Sequence, residues 1–120
     1  MEKSTSNQLV VMPPEIGEIN FLESLYLTSN NLESLPPEIG QLRNLVWLDL
    51  LGNQLRLVPS EIGQLSNLTG LILGWNRLKN LPVEINQLLK LEELDLRDND
   101  LSDISSILKF PDGVVLLGNY

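Results

Sequence analysis

Four segments of the chain align on one another without a gap: LESLYLTSNNL at residues 22–32, LVWLDLLGNQL at 45–55, LTGLILGWNRL at 68–78 and LEELDLRDNDL at 91–101. Each reads LxxLxLxxNxL, and each begins 23 residues after the one before. Asn7, Asn30, Asn53, Asn76 and Asn99 keep the same step, with Leu9, Leu32, Leu55, Leu78 and Leu101 two places further on. Between the units runs a second string: MPPEIGEI at 12–19, LPPEIGQL at 35–42, VPSEIGQL at 58–65 and LPVEINQL at 81–88. Chance does not hold Asn and several Leu in register over four units. The chain is therefore read as a repeat array, in which each unit packs against its neighbours.

The physics of one unit follows from its pattern. The two Leu of LxL point to the same face of a short strand, because strands have a period of two. The Asn ends the strand, and its side-chain amide can bond backbone groups of its own turn and the adjacent one. Pro36, Pro59 and Pro82 suit the first turn of a helix. Glu38, Glu61 and Glu84 follow, where the helix dipole favours an acid. Ile39, Leu42 and Leu45 are spaced by three, which suits a short α or 3-10 segment burying one stripe. A unit of strand, turn and short helix cannot bury its apolar face alone. Stacking units side by side puts a parallel sheet on the concave face and the helices on the convex face. Leu25, Leu27, Ile39 and Leu42 are expected in the core, with their counterparts 23 and 46 residues on.

Composition removes whole classes of chemistry. The 120 residues include 28 Leu, no Ala, no Cys and no His. Without Cys there is no disulfide framework, no thiolate nucleophile and no Cys-ligated metal site. Without His the commonest general base and metal ligand are missing. The net charge of -8, with only eight scattered basic residues, argues against nucleic acid and against anionic membranes. No run of apolar residues reads as a secretory signal or is long enough to span a bilayer. The default expectation is a soluble cytoplasmic protein with no cofactor.

With the motifs on the page, the chain resembles the leucine-rich-repeat family over roughly residues 7–108. It is most similar to the 23-residue subclass with PxEIGxLxxL on the convex side, found in Ras-suppressor-like, plant intracellular Ras-group, bacterial cytoplasmic and Roco-type repeats. The resemblance implies an α/β repeat solenoid, a horseshoe segment with short parallel strands inside and short helices outside. It also implies a non-catalytic role in binding other proteins, usually through the concave face. One domain is expected over residues 1–120, with an incomplete N-terminal repeat at 1–18, full repeats at about 19–102 and an irregular C-terminal repeat at 103–120.

The ends depart from the pattern. In register, Glu2 and Ser4 take the places of the first LxL pair, so the first unit is polar. At the other end Asn119 falls 20 residues after Asn99, and Pro111 stands where a core Leu belongs. The sequence predicts a short helix near 103–109 and an edge strand over Val114–Leu117. The string VVLLGN at 114–119 resembles a strand leading into a phosphate loop, but no GxxxxGK[ST] follows it. Both faces of this strand are apolar, which makes it a template for pairing. A homodimer through residues 110–120 is therefore an alternative role, as is a regulatory repeat fragment of a larger signalling GTPase or kinase.

Function is expected at the outward positions of the concave strands. Those sixteen slots hold three of the chain's six aromatic residues: Tyr26, Trp47 and Trp75. Leu51 and Ile72 are expected to face water beside an open floor of Gly52, Gly70 and Gly74. Strand geometry puts Trp47 and Trp75 roughly 15 Å apart. Trp and Tyr are favoured interface anchors, and an exposed apolar patch marks a partner site. Asp49, Glu92, Glu93, Asp95 and Asp98 border the patch and suit a partner with basic groups. Glu93, Asp95 and Arg97 read as a solvated ion-pair ladder. Asp49 and Asp95 lie two strands apart, about 10 Å, too far to share one metal ion. No closed pocket is expected to desolvate paired carboxylates for catalysis. The expected site is Tyr26, Trp47, Asp49, Leu51, Ile72, Trp75, Glu93, Asp95, Arg97 and Asp98, all partner-binding. The alternative is that the two Trp rings only cover neighbouring strands.

Overall fold

The computed structural model describes residues 2–3, 10–102, 104, 107–110 and 113–118. Among these residues six short strands form one parallel sheet in chain order: β1 (Glu2–Lys3), β2 (Ser24–Tyr26), β3 (Trp47–Asp49), β4 (Gly70–Ile72), β5 (Glu93–Asp95) and β6 (Val115–Leu117). Among the described residues four 3-10 helices alternate with the strands: η1 (Pro14–Glu18), η2 (Pro37–Gln41), η3 (Ser60–Gln64) and η4 (Val83–Gln87). The structure is thus the expected α/β repeat solenoid, and its helices take the tighter 3-10 form. Pro36, Pro59 and Pro82 sit just before the first turn, at the cap, with extended ψ of 153°, 153° and 144°. Their carbonyls accept from the amides of Ile39, Ile62 and Ile85 at 3.0–3.1 Å, which closes each short helix.

The register repeats the sequence period. Ser24 pairs with Trp47, Trp47 with Gly70 and Gly70 with Glu93, a step of 23 each time. Glu2 pairs with Leu25, as the polar first unit predicts. Ser4 and Asn7 lie outside the described residues. The core is one Leu and Ile column after another. Leu25, Leu48, Leu71 and Leu94 lie at most 1% exposed, and Ile39, Ile62 and Ile85 are fully buried. Leu27, Leu42 and their counterparts are buried with them.

The Asn column ties successive turns together. Asn53 donates from its side-chain amide to the carbonyls of Leu27 and Leu50, both at 2.9 Å, and accepts from the Leu32 amide at 3.1 Å. Asn76 does the same with Leu50, Leu73 and the Leu55 amide. Asn99 repeats it with Leu73, Leu96 and the Leu78 amide. Each of these three Asn therefore bonds its own turn and the turn of the preceding unit, which satisfies its side-chain amide.

The C-terminal end corrects one boundary. The edge strand spans Val115–Leu117, not Val114–Leu117, and it pairs with β5 at a step of 22. That one-residue slip keeps Leu116 opposite the core Leu94. Leu116 is nonetheless 38% exposed and Val115 52% exposed, because the strand lies at the sheet edge. The predicted helix near 103–109 falls partly outside the described residues; within it, the Ile107 and Leu108 amides both donate to the Ile104 carbonyl. Pro111 and Asn119 lie outside the described residues.

Candidate functional site

The concave face is paved rather than open. Gly70 lies directly beneath the indole of Trp47, where any side chain would overlap the ring. A Cβ at Gly74 would stand 3.0 Å from Leu51 Cδ1 and 3.1 Å from Asp95 Oδ1. Gly70 and Gly74 therefore do not leave free floor: each is covered by a neighbouring side chain, while Gly52 stays partly open. Ile72 does not face water either. It is 7% exposed, held in register between Asp49 and Asp95. Leu51 and Trp47 are half-buried. Trp47 thus follows the cross-strand packing alternative, because the missing side chain at Gly70 makes room for its ring.

Trp75 is different. It is 58% exposed, and its backbone sits in the left-handed region at φ 57°. Its amide donates to the Arg97 carbonyl at 2.7 Å, which pins that conformation. The slot before the ladder Asn is left-handed in each of the four full units: Ser29, Gly52, Trp75 and Asp98 have φ of 56°, 73°, 57° and 55°. Small or Asx residues fit such a slot, and a bulky aromatic does not. A Trp among Ser, Gly and Asp in one column was visible in the sequence, but its backbone conformation was not.

The acidic border is split. Asp95 is 2% exposed, so it does not belong to a solvated ladder. Arg97 folds back on it as a fork, Nε to Oδ1 at 3.0 Å and Nη2 to Oδ2 at 2.8 Å. The Arg97 amide adds a bond to Oδ1 at 3.1 Å. Burial pushes the Asp95 carboxyl up, but the Arg97 hydrogen bonds and charge outweigh it, and the net value lies below the usual carboxylate range. Asp49 goes the other way. Burial raises it, its bond from the Leu51 amide at 3.0 Å opposes the rise, and the Asp95 charge adds to it. Asp98 is exposed, and Glu93 and Tyr26 are half-buried. Among the described residues no group of three or more carboxylates stands close enough to hold a metal ion.

The structure therefore brings Trp47, Asp49, Leu51, Ile72, Asp95 and Arg97 together as one packed surface, and sets Trp75 and Asp98 out beside it. A family model described as leucine rich repeat matches residues 20–78, and a second of the same description matches residues 90–110. The chain is a leucine-rich-repeat protein. A leucine-rich-repeat protein of Leptospira interrogans is 48% identical with a TM-score of 0.81, over 83% of this chain and 26% of that one. The leucine-rich-repeat domain of the type III effector XopL is 28% identical, TM-score 0.76, over 86% of this chain and 38% of that one. A chain from the BIR3–SERK2 complex of Arabidopsis thaliana is 35% identical, TM-score 0.79, over 98% of this chain and 66% of that one. The leucine-rich-repeat chain thus spans about a quarter of the length of the Leptospira protein. Among curated proteins no relative matches. Leucine-rich-repeat domains generally mediate protein–protein interaction and are typically non-enzymatic. Among the described residues no helix is long and apolar enough to cross a membrane.

Proposed function

We propose that the chain is a protein-interaction module of the 23-residue subclass, and that it docks its partner on the concave face with Trp75 as the anchor. The observation that carries this is Trp75 itself: a large aromatic held 58% exposed on a left-handed backbone that its own packing does not reward. Strain of that kind clusters at functional positions, and Trp is enriched among the residues that anchor interfaces. Half-buried Trp47 and Leu51 give the concave face apolar surface to go with the ring. Asp98 and Glu93 supply the accessible negative charge that favours a basic partner, while Asp95 is already paired with Arg97. The 23-residue step of the strand register supports the subclass. A neighbour solved in the BIR3–SERK2 complex supports a protein as the partner. A cytoplasmic setting, and a single domain over residues 1–120, belong to the same proposal.

The test begins with affinity capture on the wild-type chain, Trp75→Ala and the convex-side control Leu89→Ala. A protein retained by the wild type and by the control but lost with Trp75→Ala, and bound directly when purified, supports the site. A directly bound partner whose affinity is the same with Trp75→Ala sinks it. Acrylamide quenching of single-Trp variants reads the face itself: emission from Trp75 should be quenched readily and that from Trp47 less so.

A second mode is favoured by one observation. The β6 edge exposes Val115 at 52% and Leu116 at 38%, and an apolar strand edge invites pairing. We propose a homodimer through residues 110–120 as this second mode. Sedimentation should show a dimer that becomes a monomer when residues 111–120 are deleted; a dimer unaffected by that deletion rules it out.

A further inference from the structure

The strongest feature that the concave face does not use lies on the flank of the solenoid just past the ladder Asn. There a cavity of about 330 Å³ is lined by Arg56, Arg77 and Lys79. Their positions in the repeat explain the convergence. Arg56 and Lys79 are the same place in successive units, three residues after Asn53 and Asn76, so they stand side by side at roughly the 4.8 Å strand spacing. Arg77 and Lys79 flank Leu78, which is fully buried, so both point away from the core. The Arg77 amide donates to the Leu55 carbonyl at 2.8 Å, which fixes the Arg77 segment against the one that carries Arg56.

The three side chains hold more than a third of the eight basic residues of a chain with net charge -8, and among the described residues they have no counter-ion. Among the described residues the ion pair is Arg97–Asp95, and no carboxylate lies within pairing distance of Arg56, Arg77 or Lys79. Glu33 and Asp100 occupy the adjoining places of the same two columns, yet neither reaches them. Three like charges gathered at one cleft repel one another, and an acidic protein offers many ways to neutralise them. Here none is used.

We infer that this cleft binds a phosphate monoester. Such a group carries close to two negative charges at neutral pH and three acceptor oxygens. Two guanidinium forks and an ammonium match that count, because Arg pairs with phosphate in a bidentate way and Lys acts as a point charge. A carboxylate brings one charge and two oxygens, and would leave a cation unanswered. A nucleic-acid strand fits poorly, since the acidic remainder of the molecule repels a polyanion. The cavity also has room for part of the group that bears the phosphate. This site is separate from the Trp75 anchor and does not depend on it.

The test is an amide-detected NMR titration of the full chain with three probes: O-phosphoserine, a phosphoserine peptide, and the same peptide with Glu in place of phosphoserine. Both phosphate-bearing probes should shift the amides around Arg56, Arg77 and Lys79, and the Glu peptide should bind at least about tenfold more weakly. The combined variant R56Q/R77Q/K79Q should lose binding by at least about tenfold, as expected for removing charge-assisted hydrogen bonds, with an unchanged melting temperature. A peptide that binds far more tightly than O-phosphoserine identifies a phosphorylated protein as the source; equal affinities identify a small phosphorylated molecule. The inference is overturned if neither phosphate probe moves those amides, if the Glu peptide binds equally well, or if the variant binds undiminished.

Discussion

At the scale of single residues, Trp75 and Asp95 pull the concave surface in opposite directions. A left-handed backbone costs a residue with a side chain about 1–2 kcal/mol, and Trp75 recovers little of it by packing. Trp75→Gly should therefore leave stability unchanged or raise it by up to about 1 kcal/mol in urea denaturation, while removing partner binding. A clear loss of stability would mean that the ring packs against the fold. Asp95 is the reverse case, a buried carboxylate that needs its partner. Arg97→Ala leaves the carboxylate without its fork and should lower stability at pH 7, by less than breaking a fully buried pair because the Arg97 side chain is itself solvent-exposed. The sign with pH is fixed by the direction of the shift. Asp95 sits below its ordinary value in the folded protein, so its contribution is full above the ordinary carboxylate range and is lost as pH falls through the folded value. The difference between wild type and Arg97→Ala should shrink in acid, and equal gaps at pH 7 and pH 3 would contradict this. Strand alternation located Asp95 on the concave face correctly. It could not show that Arg97 two residues on would fold back and cover it above Gly74.

Among elements, the four 3-10 helices depend on a close approach that the EIG string encodes without explaining. A Cβ on Gly63 would stand 2.6 Å from the Glu84 carbonyl oxygen, and one on Gly40 2.7 Å from that of Glu61. Each helix thus presses its glycine onto the backbone of the next. Gly63→Ala should cost about 1–3 kcal/mol, because the obstacle is backbone and cannot rotate away; a neutral effect in thermal unfolding would mean that η3 and η4 can separate freely. The fourth helix carries Asn86 in the glycine place, and the reason is again three-dimensional. Asn86 donates to the Ile107 carbonyl and accepts from the Lys109 amide, both at 2.7 Å, so a side chain bridges to the irregular last unit. The period in the sequence was enough to read the strand register from β2 to β5, since a constant step leaves one pairing. It was not enough at β6, where the step drops to 22. Nor could it distinguish an open glycine floor from glycines covered by Trp47, Leu51 and Asp95, because that depends on which way neighbouring side chains lean.

For the whole molecule, charge and architecture act together. A solenoid unit touches only its neighbours, so stability is a sum of unit and interface terms, and long-range forces show clearly against it. The net charge of -8 spreads mutual repulsion along the array. Only one ion pair is seen among the described residues, the sheltered Arg97–Asp95 fork. Added salt should therefore screen more repulsion than attraction, since the Debye length falls from about 30 Å at 0.01 M to about 3 Å at 1 M. The melting temperature should rise between low salt and 0.5 M sodium chloride. Over the same range, phosphate held by Arg56, Arg77 and Lys79 should be released, because that attraction lies at the surface and is screened. The fold and the cleft thus respond to one variable with opposite signs. A melting temperature that falls with salt would show that attractive surface pairing, rather than net repulsion, dominates the folded state.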